Sequence, residues 1–398
     1  MENQNRFILE GIVSVSRLLI YDTSNFIDFP IGGQLTSISN FLRFICEEHP
    51  ERTGDIVLVG VTRKFSELGK VKKLELYGSQ ISFLPVAVAE GDLGNTAKSL
   101  RLQYAKGLLK YKKILKIAKK DCNYIHTPEA YGVVKFFSIG LQCVIFSHGS
   151  YFNMERGFRF FQKNVIVKKG FVAYLKWILR DADMIFLLDK DSLRDYAPYN
   201  DNLVEVLNSI SCPDIPEGKH SLKDGKLREV LFVGRLSKDK QVEPIIQAVI
   251  DADSLEEIGN LHLTIVGNGE EYNSLIKYEG DKVFFTGAVV PEKVKEYMKN
   301  ADVLVMNSAF EGIPMTILEG ISHALPIIST NVGGIGQVLH FGQDSEETDG
   351  TAESIQSALK KIAARYEQYS ESAYVNSKAF DYRIVNRKVY ELLRIYWG

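Results

Sequence analysis

The stretch DVLVMNSAFEGIPMTILEGISHALPIISTN, residues 302–331, contains one complete strand–helix–strand unit. Residues 302–308 and 326–331 are short runs rich in Val and Ile, which is typical of buried strands. Between them, residues 314–324 have helical spacing, and Pro314 suits a first helical turn because proline has no N–H to lose. A helix between two strands makes those strands parallel, so this stretch predicts an α/β domain with a parallel sheet.

The same alternation continues on both sides of this unit. In the second half, strands are predicted at 228–234, 261–267 and 282–287, and helices at 242–252, 268–278 and 291–301. In the first half, strands are predicted at 17–24, 54–61, 122–127, 142–148 and 183–189, with helices over 34–46 and 99–120. Parallel sheets bind ligands beyond the carboxyl ends of their strands, so two such domains are expected to face each other across a cleft.

Chain length and turn residues predict where the domains end. A chain of 398 residues is too long for one ordinary core. A polar segment with Pro and Gly predicts a linker near the middle, and an amphipathic helix ends the chain. We therefore predict an N-terminal domain at 1–212, a linker at 213–227, a second domain at 228–379, and a final helix at 380–398 that packs back on the first domain.

Composition limits the class of protein. Hydrophobic residues make up 45% of the chain and charged residues 25%, as in globular proteins. No apolar run approaches the ~20 residues of a membrane span. The start MENQNRFILE lacks the order of a signal peptide. The four cysteines are scattered, so we expect reduced thiols and a cytoplasmic protein.

Positive charge is concentrated in two segments of the first half. Residues 98–120 contain nine Lys and Arg and no acid, and residues 156–180 are basic and rich in aromatic side chains. Amphipathic basic segments of this kind attach proteins to anionic membranes, here the inner face of the plasma membrane. A solvated helix face with an ordinary core side explains the pattern equally well. No nucleic-acid-binding motif accompanies the charge, so no nucleic-acid partner is expected.

Two glutamates flank the helix start in FEGIPMTILEG. Glu311 precedes Pro314 and Glu319 lies inside the helix, while the free N–H groups near Met315 and Thr316 favour an anion such as phosphate. Carboxylates accept hydrogen bonds from vicinal hydroxyls. One glutamate could therefore hold a sugar and the other a ribose, with a diphosphate between them. On spacing alone, two solvated surface glutamates remain the commoner explanation.

Cations and glycines follow other strands of the predicted sheets. Arg235 and Lys240 in GRLSKDK could neutralise a diphosphate and stabilise a leaving group, although a solvated turn fits as well. Gly267 in VGNGE and Gly33 in FPIGGQL would let backbone approach a ligand closely. His148 ends a strand in FSHGS, and a lone histidine there is more often structural than catalytic.

Together these segments resemble the family-4 glycosyltransferases of the GT-B fold. The matching pieces occur in family order and spacing: FVGRLSKDK, LTIVGNGEE, FTGAVVPEKVKEYMKNADVLVMNS, FEGIPMTILEG and ISTNVGGIGQVL. The first half matches more loosely, through IGGQ, SHGS and the LNS of 207–209. The resemblance implies two Rossmann-like domains with parallel sheets facing across a cleft.

The resemblance also implies roles for single residues. Glu311 would contact the donor hexose and Glu319 the ribose hydroxyls, while Arg235 and Lys240 would bind the diphosphate. We take Glu311, Arg235, Lys240 and His148 as the candidate catalytic residues.

Other residues would complete the donor site. Gly33 would approach the diphosphate, His148 would lie near the transferred sugar, and the base would rest near Val289. Gly267, Met315 and Thr316 join the donor-binding set. The sequence departs from the family at Gln241, where glycine is common, and at Gln337, where glutamate is common.

The activity implied is hexosyl transfer with retention, from a nucleotide-diphosphate sugar to a glycan or lipid-linked acceptor. UDP is favoured as the nucleotide because it is the commonest, no metal or further cofactor is expected, and the pathway would be bacterial surface polysaccharide or glycoconjugate synthesis. The alternative is a non-catalytic GT-B subunit that binds sugar or a partner transferase.

Asp-x-Asp triplets at 181–183, 189–191 and 251–253 offer a different chemistry. Paired carboxylates after a strand could bridge Mg²⁺ or Mn²⁺ to a diphosphate, and the triplet at 189–191 follows an apolar run. We favour a structural role there, in which Asp191 or Ser192 caps the helix that follows.

Overall fold

The structure, a computed structural model, describes residues 17–27, 33–89, 100–117, 122–137, 142–150, 152, 165–214, 221–254 and 258–398. Its contacts divide the chain into two compact units, Met1–Asn208 with Arg383–Gly398, and Ser209–Tyr382. The boundaries predicted at 212, 227 and 379 stay predictions, since this division defines no linker. Parts of the predicted glycine turn and of both basic segments lie outside the described residues.

The first unit contains an eight-stranded sheet. Its strands are β1 Leu18–Tyr21, β2 Ile56–Thr62, β3 Lys72–Leu76, β4 Ser79–Val88, β5 Cys122–Ile125, β6 Cys143–Ser147, β7 Met184–Leu187 and β8 Leu203–Glu205. They lie in the order β3-β4-β2-β1-β5-β6-β7-β8. Every neighbouring pair is parallel except β3–β4, which is an antiparallel hairpin. The described helices are α1 Gly33–Glu48, α2 Leu100–Lys110, α3 Lys112–Ile117, α4 Pro128–Phe137, α5 Val165–Asp181 and α6 Lys190–Tyr196.

The second unit contains a fully parallel six-stranded sheet. Its strands are β9 Glu229–Val233, β10 His262–Val266, β11 Val283–Gly287, β12 Val303–Met306, β13 Ile327–Ser329 and β14 Ser345–Glu347, in the order β11-β10-β9-β12-β13-β14. The helices are α7 Val242–Ile250, α8 Tyr272–Leu275, α9 Pro291–Asn300, α10 Met315–Ser322, α11 Ala352–Ala364 and α12 Tyr366–Ser377. The predicted α/β class with two parallel sheets is confirmed.

The last helix, α13 Tyr382–Trp397, is grouped from Arg383 onward with the first unit. Tyr390 stacks on His49, with ring centroids 4.1 Å apart. Arg52 donates from Nη1 to the Gly398 carbonyl at 2.8 Å, and its guanidinium lies 4.4 Å from the centroid of the Trp397 ring. Aromatic and cation–π contacts thus hold this helix against the end of α1.

The central strands are buried along their length, because apolar side chains on both faces of a strand need cover on both. All seven residues of β2 and all four of β12 are buried. Each sheet of the described residues has a core of its own. One contains Val59, Tyr104 and Leu179, and the other contains Phe232, Ile265 and Leu359.

Four strands were not predicted. β3 (KKLEL) and β14 (SEE) are edge strands with polar side chains, and β8 is a third edge strand of only three residues. Edge strands carry weak hydrophobic signals since one side has no partner. β4 contains Pro85 inside a buried run, which argues against a strand from sequence alone.

The helix predicted at 268–278 is wrong in length. Only Tyr272–Leu275 is α-helical, followed by a 3₁₀ turn at Ile276–Tyr278. Glu271 donates its backbone N–H to the Leu236 carbonyl at 2.9 Å, so residues before it are held in the loop beside β9.

Candidate functional site

The parallel second sheet brings five of the predicted site residues to one edge. β9 and β12 are neighbours, as are β9 and β10, and parallel strands end at the same edge. The predicted residues that follow these ends are Arg235 and Lys240 after β9, Gly267 after β10, Val289 after β11 and Glu311 after β12. Residues far apart in sequence therefore meet because of strand order.

Lys240 and Glu311 form the best-buried ion pair at this edge. Lys240 Nζ contacts Glu311 Oε1, with the two side chains only 17% and 13% exposed. Lys240 also lies 3.4 Å from Asp239 Oδ2. A lysine between two carboxylates is held in place, and charge-assisted contacts of this kind are stronger than neutral ones.

Ser308 orients the Glu311 carboxylate and was missed by sequence reasoning. Its hydroxyl donates to Glu311 Oε1 at 2.8 Å. Thr330, after β13, donates from Oγ1 to the Ser308 carbonyl at 2.7 Å, and Ala309 donates its backbone N–H to the Asp239 carbonyl at 2.7 Å. The Glu311 loop is thus tied to the loops after β9 and β13. The sequence feature that could have identified Ser308 is its position just after a strongly apolar strand.

Gly333 and Gly334 also fix the Glu311 loop. Gly333 has φ +58°, and a Cβ there would come within 1.8 Å of the Glu311 carbonyl oxygen. Gly334 donates its backbone N–H to the Gly312 carbonyl at 3.0 Å. Only glycine allows this approach of two backbones, so the GG of ISTNVGG positions the carboxylate.

Arg235 lies at the same edge but pairs with a different carboxylate from the one that Lys240 contacts. Its Nη2 is 3.1 Å from Glu270 Oε2, and the side chain is 72% exposed. Exposed ion pairs contribute little, so Glu270 competes weakly for this guanidinium. The predicted contact of Arg235 with a diphosphate stays a prediction.

Gly267 has a structural role that was not predicted. Its φ is +146°, and a Cβ would lie 1.8 Å from the Gly234 carbonyl oxygen. The Gly234 N–H in turn donates to the Val266 carbonyl at 3.0 Å. The close approach expected of this glycine is therefore an approach to the loop after β9, and any contact with a ligand would be additional.

The start of α10 is arranged as an anion site would require. Pro314 is the residue before the helix, and the first helical hydrogen bond is donated by Ile317 to its carbonyl at 3.2 Å. The N–H groups of Met315 and Thr316 precede that bond, at the positive end of the helix dipole.

Glu319 lies inside α10 and is partly buried. Burial raises the pKa of its carboxyl, against the attraction of Lys295 on α9. Desolvation disfavours the charged form, and a nearby hydroxyl donor would restore it. Val289 lies after β11 and is half-buried beside the exposed Val290.

In the first unit, His148 does not stand alone. Its Nε2 lies 2.9 Å from Nδ1 of His126, a buried residue after β5 that sequence reasoning did not single out. Burial lowers the pKa of His148 to about 3, and burial together with the neighbouring imidazole lowers the pKa of His126 well below its usual range. Both rings are therefore neutral at physiological pH.

Asp22, also missed, lies at the end of β1 in the same sheet. Gln34 donates from Nε2 to Asp22 Oδ2 and lies 3.4 Å from the His126 carbonyl oxygen. Gly33 is the first residue of α1, so these contacts tie the helix start to two strand ends. The sequence signal was a lone carboxylate after a buried strand.

The triplet at 189–191 has a structural role, but the residue that caps the following helix is not one of the two predicted. Asp189, and neither Asp191 nor Ser192, is the N-cap of α6: its Oδ1 accepts from the Ser192 N–H at 2.6 Å. Across the described ranges, no three His, Cys, Asp or Glu side chains are grouped as a metal ion would need.

The described parts of the basic segments lie in a helix layer whose order is α2–α4–α5. Arg101 on α2 pairs with Glu129 on α4 at 3.2 Å, and Phe136 on α4 stacks on Trp177 of α5 at 5.1 Å. Large apolar side chains of this layer are exposed: Leu102 by 63%, Phe136 by 66% and Ile166 by 83%. In the part of the chain that is described, no helix is both long and apolar enough to cross a bilayer.

Most of the second unit matches a known protein family. Residues 216–375 match the model of the family described as glycosyl transferases group 1. Alpha-monoglucosyldiacylglycerol synthase of Streptococcus pneumoniae is 25% identical over 248 residues, which are 55% of this chain and 54% of the relative. The O-antigen biosynthesis glycosyltransferase WbnH of Escherichia coli is 27% identical over 246 residues, 61% of this chain and 66% of the relative. The chain thus spans about half to two thirds of the length of these relatives.

Solved structures resemble the chain over almost its whole length. Sucrose-phosphate synthase from Thermosynechococcus elongatus has a TM-score of 0.72 at 16% identity, covering 95% of this chain and 98% of its own. Anabaena HepE in complex with UDP and glucose has a TM-score of 0.67 at 16% identity, covering 96% and 100%. WaaG, a glycosyltransferase of lipopolysaccharide biosynthesis, has a TM-score of 0.62 at 14% identity, covering 94% and 99%. The predicted GT-B fold is confirmed.

Proposed function

We propose that this chain, whose second unit matches the group 1 glycosyltransferases, is a retaining glycosyltransferase using a nucleotide-diphosphate sugar. The observation that carries the proposal is the Lys240–Glu311 pair at the edge where β9 and β12 end side by side. It combines a fixed cation for phosphate with a fixed carboxylate for a sugar, next to the start of α10.

The donor we propose is a UDP-hexose. Two solved neighbours support this choice, since HepE is described in complex with UDP-glucose and TarM in complex with UDP. The diphosphate would lie against Arg235, Lys240 and the N–H groups that open α10. The uracil would lie near Val289 and the ribose near Glu319, whose carboxylate gains hydrogen-bond donors from vicinal hydroxyls.

The reaction breaks the bond between the anomeric carbon and the phosphate oxygen and forms a bond from that carbon to an acceptor hydroxyl oxygen. The acceptor proton passes to the departing phosphate on the same face of the sugar. Negative charge grows on the leaving diphosphate, and fixed cations with a helix start stabilise it without reorganisation. Glu311 would hold the sugar hydroxyls through the transfer, and no metal enters these steps.

A matched pair of arginines tests the donor site. Arg235 follows β9, whereas Arg228 precedes it at the opposite edge of the sheet and pairs with Asp224 at 3.4 Å. By calorimetry, Arg235→Ala should weaken UDP binding about tenfold or more, as expected for a lost charge-assisted contact, and Arg228→Ala should not. Equal UDP affinity of wild type and Arg235→Ala would refute the site.

Turnover separates an enzyme from a non-catalytic subunit. UDP-, GDP- and ADP-hexoses are incubated without acceptor, and release of nucleotide is followed. We expect Glu311→Gln to reduce turnover of the preferred donor at least about 100-fold, and the exposed-site control Glu353→Gln to leave it unchanged. Nucleotide binding with no turnover of any donor would favour the binding subunit.

We also propose that the α2–α4–α5 layer lies on an anionic membrane surface, where lipid-linked acceptors are found. Its exposed apolar side chains accompany lysines such as Lys106, Lys110 and Lys169, the combination that interfacial binding needs. Support also comes from the matched relative named a glucosyldiacylglycerol synthase.

Flotation with phosphatidylglycerol vesicles tests this surface. The triple change Lys106→Gln, Lys110→Gln and Lys169→Gln should reduce the floating fraction, because each basic residue near the surface contributes about 1 kcal/mol. The control removes three exposed lysines of the second unit, Lys223, Lys226 and Lys277. Equal flotation of the two triple variants would remove the membrane proposal.

A further inference from the structure

One hydrogen bond links the imidazoles of His126 and His148, and its single proton is carried either by His126 Nδ1 or by His148 Nε2. His126 Nδ1 and His148 Nε2 are 2.9 Å apart, and the rings lie 28° from parallel. His126 is 4% exposed, and its Nε2 has no hydrogen-bond partner within the described part of the chain. The proton between the rings therefore decides the state of both outer nitrogens.

Two arrangements are available to neutral rings. If His148 Nε2 carries the proton, then His126 Nδ1 accepts and His126 Nε2 must carry an N–H that is buried without an acceptor. If His126 Nδ1 carries it, His126 Nε2 is a bare acceptor instead. Buried orphan N–H groups are rarer than under-satisfied acceptors, so the second arrangement is favoured. His148 then has its own proton on Nδ1.

The His126 ring cannot turn to exchange its two nitrogens without losing its packing. It stacks on Phe146 at 5.4 Å and 18° and meets Tyr124 edge-on at 4.4 Å. Its backbone N–H donates to the Tyr21 carbonyl at 3.0 Å, and its carbonyl faces Gln34 Nε2 at 3.4 Å. A residue held from four sides can impose an orientation on its partner.

We propose that His126 is a positioning residue that donates from Nδ1 to Nε2 of His148 and thereby makes His148 Nδ1 an obligatory hydrogen-bond donor. In a neutral histidine, a ring nitrogen that accepts a hydrogen bond is bare, so the proton must lie on the other ring nitrogen. A His148 Nδ1 that carries the proton can donate to a ligand oxygen and cannot accept a proton as a general base. This inference rests on the proposed function only in taking His148 as a site residue.

Nitrogen NMR of the full chain with ¹⁵N-labelled histidine tests the assignment at pH 7.5, and the His148→Gln spectrum identifies the resonances. We expect His148 to be protonated on Nδ1 and bare on Nε2. His126→Asn keeps an N–H near the position of Nδ1 and should preserve this tautomer. His126→Phe keeps the ring packing without the donor, and His148 should move toward the Nε2-protonated form. A wild-type His148 protonated on Nε2, or a tautomer unchanged in His126→Phe, overturns the proposal.

Turnover of UDP-glucose without acceptor gives a second readout. His126→Phe should lower kcat/KM about tenfold, as for one misdirected hydrogen bond, and His126→Asn should restore most of it. Equal loss in both variants would show that His126 acts only through stability. The NMR result does not depend on turnover, so failure of the transferase proposal and failure of this one remain distinguishable.

Discussion

Replacing Asp22 by asparagine is expected to stabilise the first unit at neutral pH. Asp22 is 3% exposed, and burial raises the pKa of its carboxyl from 3.8 to about 6, although hydrogen bonds from Ser24 and Gln34 and the charge of Arg101 oppose the rise. Asparagine keeps an oxygen that can accept from Gln34 Nε2 and has a donor in place of the other oxygen, so it resembles the protonated carboxyl without the ability to ionise.

The magnitude follows from proton linkage. Between pH 3.8 and about 6 the folded chain keeps the Asp22 proton that the unfolded chain has lost. Because the folded state binds more protons there, the wild-type free energy of unfolding falls as pH rises through this window. One pKa unit corresponds to about 1.4 kcal/mol, so the loss reaches about 3 kcal/mol above pH 7. Asp22→Asn has no such loss.

Urea unfolding at pH 3.5, 5 and 7.5 measures the difference, with the fluorescence of Trp177 or Trp397 in the first unit as the probe. The variant should match the wild type at pH 3.5 and exceed it by about 3 kcal/mol at pH 7.5. Asp201→Asn, at an exposed position of the same unit, is the control. A difference that does not change with pH, or a variant less stable at pH 7.5, would refute the buried-carboxylate reasoning.

Three further outcomes follow from the second unit. Gly267→Ala should lower the free energy of unfolding by at least about 3 kcal/mol, since its φ is +146° and a Cβ would lie 1.8 Å from a carbonyl oxygen. The control is Gly280→Ala, where an added Cβ would have no atom within 4 Å, and it should change the urea midpoint little. Gln241 has φ +44°, a left-handed conformation that is strained for most residues other than glycine. Gln241→Gly should therefore raise the free energy of unfolding by about 1 kcal/mol, whereas Gln247→Gly inside α7 should lower it by a similar amount. An equal effect of the two changes would contradict backbone strain at Gln241. Ser308→Ala should lower turnover of UDP-glucose about tenfold with UDP affinity unchanged, and a loss confined to UDP affinity would show that Ser308 does not act through Glu311.

Most of the second unit was predictable because its strands are short, apolar and buried. Continuous apolar runs such as VLFV before Gly234 and VLVM before Asn307 are typical of strands buried inside a parallel sheet. Polar edge strands such as β3 and β14 carry no such signal. The short helix at Tyr272–Leu275 was also beyond prediction, since a backbone contact with the loop after β9 decides where it begins.

The candidate site was predicted in its members more than in its contacts. Lys240 and Glu311 were chosen separately, and the structure pairs them. Arg235, chosen for the same diphosphate, instead contacts Glu270. Ser308 and His126 were missed because a serine or histidine after a strand is common, and only a neighbour at hydrogen-bond distance distinguishes it.

The sequence by itself determined which segments are strands and helices and which polar side chains follow strand ends, because periodicity and glycine or proline positions act over a few residues. Only the tertiary structure decided which strand ends are neighbours. It placed Lys240 against Glu311 across 71 residues and His126 against His148 across 22. The order of strands in a sheet depends on which faces pack together, a property of the whole domain that no single segment encodes.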